Sequence, residues 1–190
     1  MGAACQSPEI QFATICKSDN ELFIDCSDLD GHQKNQMGHF LNSSSGIKDI
    51  VAFPAMPDVL GLYLRANDIA TIAPGAFDRL TSLSHLDVSQ NDLTDVSFLS
   101  GGAEHLSLTF LDLGNNLIRS IDAAAFGRLH KLKKLKLNNN PLMALDDRAV
   151  ATIAKLSKLV VRSDLDLVSK IDDTYKFIFY VKAKLAVSKL

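Results

Sequence analysis

The sequence predicts an α/β solenoid, a curved coil with a short-stranded parallel β-sheet on its concave face and loops, turns or short helices on its convex face. Three observations predict it. Asparagines recur at Asn67, Asn91, Asn116 and Asn140, spaced by 24, 25 and 24 residues. Each lies in an eleven-residue segment of one pattern, L-x-x-L-x-L-x-x-N-x-L with aliphatic exchanges: VLGLYLRANDI (59–69), LSHLDVSQNDL (83–93), LTFLDLGNNLI (108–118) and LKKLKLNNNPL (132–142). Finally, GAFDRL at 75–80 recurs as AAFGRL at 124–129, which sets Phe77 and Phe126 ten residues after their asparagines.

Each element of the pattern has a physical reading. Alternate leucines such as Leu135 and Leu137 define a short strand with both side chains on one face. A period near 24 residues returns the chain to the same place, so successive strands stack in parallel about 4.8 Å apart around a leucine interior. A second aliphatic follows each asparagine by five residues: Ile72, Val96, Ile121 and Leu145. An asparagine fits inside the coil because its amide both donates to and accepts from backbone groups where the strand turns away. Asn67, Asn91, Asn116 and Asn140 are therefore read as a structural ladder and not as catalytic groups.

Four consecutive segments in one register resemble the leucine-rich repeat family, in a 24-residue form with a late phenylalanine similar to that of extracellular members. The resemblance covers residues 59 to about 165. It implies a right-handed coil of about five repeats within 59–167, starting near residues 59, 83, 108, 132 and 156. The fifth, LSKLVVRSDLDL (156–167), carries Asp164 in place of asparagine. Residues 1–58 are expected to cap the coil, because its first turn would otherwise expose the leucine interior. ICKSDNELFIDCSDLD (15–30) resembles the cysteine-containing N-terminal cap of secreted members, and FPAMPDVLGLYL (53–64) resembles the lead into a first repeat. Such caps usually carry four cysteines; here Cys5, Cys16 and Cys26 are the three. The resemblance implies a Cys16–Cys26 disulfide and leaves Cys5 unassigned. Residues 30–52 are expected to be an insertion, and Asn42 in NSSS begins a glycosylation sequon suited to a secreted loop. Residues 168–190, ending in KFIFYVKAKLAVSKL, are expected to add a last strand or cap to the same single domain.

In isolation LHKLKKLKLNNNPL (129–142), with its four lysines, reads as a basic amphipathic helix on a membrane or nucleic acid. The repeat register replaces that reading. It turns Leu132, Leu135 and Leu137 inward and places Lys133, Lys134 and Lys136 outside a short strand. Composition agrees: the net charge is −2, which leaves no overall footprint for nucleic acid. At 47% hydrophobic and 22% charged residues the chain is expected to be globular, and FIFYV (177–181) is far too short for a transmembrane segment. No secretion signal is visible in the opening MGAACQSPEIQF.

The second, third, fifth, seventh and eighth motif positions are expected to face outward. Taken repeat by repeat, the third position reads Gly61, His85, Phe110, Lys134 and Lys158, and the fifth reads Tyr63, Asp87, Asp112, Lys136 and Val160. The seventh reads Arg65, Ser89, Gly114, Asn138 and Arg162. Aromatic residues flank a pair of carboxylates, and lysines follow toward the C-terminus. Tyr63, Arg65, His85, Asp87, Phe110, Asp112, Lys134 and Lys136 are the candidate ligand-binding residues. Phe110 is expected to be an exposed apolar anchor with no folding role. For the lysines, solvation or a Lys136–Asp112 pair stands beside ligand contact.

Nothing in the motifs indicates catalysis. There is no GxSxG, phosphate loop, HExxH or GxGxxG, and His32, His39, His85, His105 and His130 show no metal spacing. Asp87 and Asp112 stand one repeat apart, but an open, solvated sheet is expected to leave their acidity unperturbed. The sequence therefore points to a non-enzymatic module, without metal or cofactor, that recognises a protein or glycan through its concave face. An extracellular or cell-surface location is expected, with a cytoplasmic scaffold or regulatory subunit as the alternative. Neither a nucleic-acid partner nor a membrane span is expected.

Overall fold

The computed structural model describes residues 15–19, 22–41, 47–100, 107–121, 125–142, 144–145 and 158–160. They form a right-handed curved coil whose concave side is one seven-stranded sheet. Its strands are β1 (Lys17–Asp19), β2 (Phe23–Asp25), β4 (Gly61–Tyr63), β6 (His85–Asp87), β7 (Phe110–Asp112), β9 (Lys134–Lys136) and β11 (Lys158–Val160), in that order. β1 pairs antiparallel with β2, and every later pair is parallel. The registers run Leu62↔Leu86↔Leu111↔Leu135, so one buried leucine per strand stacks directly on the next. The return path carries two short parallel pairs, β3 (Asp49–Ile50) with β5 (Thr71–Ile72) and β8 (Ser120–Ile121) with β10 (Ala144–Leu145).

The asparagine amides tie each coil to its neighbours. Asn91 donates from Nδ2 to Leu64 O of the preceding coil at 2.9 Å, and its Oδ1 accepts from the Asn67 and Ile69 N–H groups at 3.0 Å. Asn67, Asn116 and Asn140 reach back in the same way to Cys26 O, Val88 O and Leu113 O. Three are buried, and Asn140, in the last repeat with a described asparagine, is half-buried. The residue before each of these asparagines turns the chain through the left-handed region: Ala66, Gln90, Asn115 and Asn139 have φ between 55° and 58°. A flat strand thereby ends after three residues.

Stacked phenylalanines fill the return side. Phe53 lies on Phe77 with ring centroids 5.4 Å apart, and Phe98 meets Phe77 edge-on at 5.9 Å. Phe126 is also buried. In the second repeat the place of GAFDRL is taken by a 3-10 turn at Ser97–Leu99, which buries Phe98 and Leu99.

The cap is a further coil. β2 pairs with β4, Ile24 is buried above Leu62, and a Cys16–Cys26 disulfide closes the β1–β2 hairpin. The helix α1 (Gly31–Phe40) follows. It starts on a capping box, in which the Gln33 N–H donates to Asp30 Oδ1 at 2.8 Å and Gln33 Oε1 accepts from the Asp30 N–H at 3.1 Å. Met37 and Leu41 anchor this segment in the core, and Lys34 pairs with Asp68 at 2.6 Å. The expected insertion at 30–52 is thus too long. From Ile47 the chain is again part of the coil: Lys48 O accepts from Ala70 and Thr71, and Ile50 stands in register with Ile72. Cys5, Asn42, Arg162, Asp164 and the segment 168–190 lie outside the described residues.

Candidate functional site

The parallel registers place outward side chains in columns across the concave sheet. The third-position column runs Phe23, Gly61, His85, Phe110, Lys134, and the fifth runs Asp25, Tyr63, Asp87, Asp112, Lys136. All eight candidate residues fall within these columns except Arg65, which lies one step beyond Tyr63 and Leu64. Arg65 donates from Nε to Gln90 Oε1 at 2.9 Å.

A row of rings crosses the sheet. Phe23 leans over Gly61, where an added Cβ would collide with the Phe23 ring. Glycine at 61 therefore makes room for a neighbouring aromatic residue. Phe23 stacks near Tyr63, with centroids 6.5 Å apart, and meets the His85 ring edge-on at 6.0 Å. His85 in turn stacks on Phe110 at 5.8 Å. Beyond Phe110 stand two cations, Lys134 Nζ at 4.9 Å from the ring centroid and Lys136 Nζ at 5.5 Å. Ser84 Oγ lies 2.8 Å from His85 Nδ1 and orients that ring.

These contacts correct the expectation for Phe110. It is half-buried, held by His85 on one side and by lysines on the other, and so has a structural reason to be aromatic. The seventh position is corrected as well. Ser89 and Gly114, two residues past the ends of β6 and β7, are buried, with the Asn138 side chain lying across Gly114.

The carboxylates differ sharply from one another. Asp25, Asp87 and Asp112 share one backbone arrangement, each accepting through Oδ1 from the N–H two residues ahead, on Ser27, Ser89 and Gly114. Asp112 is 5% exposed, and its Oδ2 accepts from Lys136 Nζ at 2.6 Å. Asp87 has no such cation bonded to it among the described residues, and burial pushes its carboxyl above the usual range. The two bonds from Ser89 oppose that rise, the Asp112 charge adds to it, and the Lys136 charge offsets part of it. For Asp87 this corrects the expectation of an unperturbed carboxylate on a solvated sheet. Flanking rings and strands remove water from Asp87 even on an open face. Tyr63 is raised too, first by burial and then by the charges of Asp87 and Asp25 on either side of it.

Phe23 and Asp25 belong to the same columns as the candidate residues but stand outside the 24-residue period. They precede their β4 partners Gly61 and Tyr63 by 38 residues, because α1 lengthens the cap coil. The signal that locates them is the alternation in FIDC. Among the described residues no group of histidine, cysteine, aspartate and glutamate side chains suits a metal ion, and no helix is long and apolar enough to cross a membrane.

Comparison with known proteins adds the following. A family model for leucine rich repeats matches residues 44–93 and 107–165, more than half of the chain. Leucine-rich repeat-containing protein 3 of Danio rerio is 35% identical over 101 residues, which are 52% of this chain and 36% of that protein. The human leucine-rich repeats and immunoglobulin-like domains protein 1 is 36% identical over 97 residues, 50% of this chain and 9% of that one. The matched region thus spans about a third or less of either relative's length. A solved structure of the Drosophila Toll–Spatzle complex is similar over 56% of this chain and 20% of that one, at 18% identity and a TM-score of 0.31.

Proposed function

The chain belongs to the leucine-rich repeat family, whose repeat domains are generally protein-interaction modules, and on that premise we propose that it binds a protein partner through its concave sheet. The observation that carries this reading is the row Tyr63–Phe23–His85–Phe110 ending in Lys134 and Lys136. Rigid aromatic side chains backed by a sheet offer large contact area at little entropic cost, and charged residues at both ends supply orientation. The leucines and asparagines of the coil serve only to hold that row in place. The Cys16–Cys26 disulfide supports action outside the cell or on its surface, since reducing compartments seldom retain such a bond.

The test is hydrogen exchange on the intact chain with a partner captured from its native source. Protection concentrated at 61–65, 85–87, 110–112 and 134–136 is the expected result. Protection confined to the return path around 71–80, 120–121 and 125–129 would reject the concave face. Free-thiol counting on native protein checks the compartment: with Cys16 and Cys26 oxidised, at most one free thiol is expected, whereas three would indicate a reducing one.

A further inference from the structure

The concave face is electrically two-ended. Toward the cap, Asp25 and Asp87 flank the Tyr63 ring in the fifth-position column; toward the C-terminus, Lys134 and Lys136 stand beyond Phe110. We propose that this face receives an extended protein segment whose arginine or lysine docks on Tyr63 between Asp25 and Asp87, and whose carboxylate docks on Lys134, with apolar residues between them on the rings.

The comparison of Asp87 with Asp112 argues for the cation. They are neighbours in one column with the same backbone bond. Asp112 is neutralised by Lys136 at 2.6 Å, while Asp87 is desolvated and shares only the more distant influence of that already bonded lysine. A partner's cation would do for Asp87 what Lys136 does for Asp112. The Tyr63 ring beside it adds a face on which a guanidinium can stack, and Asp25 supplies the second carboxylate. Arg65, the nearby basic residue of β4's own coil, is directed to Gln90. At the other end Lys134 has an aromatic ring, and no bonded carboxylate among the described residues, beside its ammonium group.

The spacing of the two ends sets the length of the segment. From β4 to β9 is three strand steps. At about 4.8 Å per step this is about 14 Å, which an extended chain covers in about four residues. The basic and acidic residues of the partner are therefore expected about four positions apart, with the residue midway between them on the same side.

The proposal rests on the concave-face reading but is tested separately, by NMR titration of the intact isotope-labelled chain with acetylated, amidated Arg-Thr-Val-Thr-Glu. Perturbations should map to 61–65, 85–87, 110–112 and 134–136, with a Kd of about 1 mM or tighter. Exchanging the peptide's Arg for Gln should weaken binding about tenfold on the parent chain. On Asp87→Asn, which keeps an acceptor for the Ser89 N–H but leaves Asp25, that exchange should cost distinctly less, about two- to threefold. Lys134→Gln should likewise diminish the effect of exchanging the peptide's Glu for Gln. Equal Arg dependence on the parent and Asp87→Asn chains, perturbations elsewhere, or no saturable binding would each overturn the two-ended docking. The concave-face reading would survive those results if hydrogen exchange with the native partner still protects the sheet.

Discussion

Lys136 reaches across from β9 to bond Oδ2 of Asp112 on β7 at 2.6 Å, and the other carboxylate oxygen of Asp112 accepts from the Gly114 N–H at 3.0 Å. The lysine thereby acts as a lid on a carboxylate that is almost entirely out of water. Leaving a buried charge without its partner costs more than the pair itself contributes. Lys136→Ala is expected to lose about 1–3 kcal/mol in denaturant unfolding, and Lys136→Ala with Asp112→Asn to lose distinctly less. Additive losses would show that the two groups do not depend on each other.

Asp87 gives a pH signature of the opposite kind. Its folded-state carboxyl is raised, chiefly by burial, so the folded protein keeps this proton to higher pH than the unfolded chain does. The resulting stability is present below the ordinary carboxylate range and is lost as pH rises through the raised value. Asp87→Asn should accordingly melt above the parent at pH 7, and its advantage should shrink as the pH falls through the raised value toward the ordinary carboxylate value of about 4. A difference in melting temperature that stays constant from neutral to acid pH would contradict the assignment.

The ladder is tested at Asn116. Its Nδ2 donates to Val88 O at 3.0 Å and to Leu113 O at 3.1 Å, and its Oδ1 accepts from the Leu93 N–H at 3.1 Å. Asn116→Leu orphans these backbone groups inside the coil. Each is expected to cost about 1–3 kcal/mol, so the melting temperature should fall markedly. An unchanged melting temperature would exclude Asn116 from a structural part in the interior.

Repeat four separates interior from surface within two adjacent residues. Leu135 is fully buried between β7 and β11, while Lys134 is half-buried and holds its ammonium group over the Phe110 ring. Leu135→Ala is expected to lose about 2–5 kcal/mol and Lys134→Ala to stay within about 0.5 kcal/mol. Equal, mild effects in equilibrium unfolding would mean that the register is wrong.

The strands β4, β6, β7 and β9 were legible because the asparagine period sets the register, and a period-2 strand leaves only one choice of inner face. The cap was legible only in part. FIDC shows an alternating strand, but α1 and the turn after it stretch the coil, so Phe23 falls out of step with Gly61 and escapes a search by spacing. Phe53 and Phe98 were missed for a related reason: one lies in the cap, and the other occupies a 3-10 turn in place of the recurring GAFDRL. The candidate face was legible as a set of columns but not as a set of environments. That Phe110 is half-buried, that Asp112 is covered and that Asp87 is desolvated all follow from lateral contacts between side chains on neighbouring strands. Those contacts depend on side chains 24 or more residues away and on the rotamers that they adopt together.

Docking of the partner on the ring row of the concave sheet is tested by the affinity of the captured partner for Phe110→Ala. Arg79→Ala, an exposed position on the return path, serves as the control, and circular dichroism shows whether both variants are folded. Phe110→Ala is expected to weaken binding by about 1–2 kcal/mol, roughly 5- to 30-fold, with Arg79→Ala unchanged. Equal affinities for the two folded variants, or a larger loss at Arg79, would contradict the account.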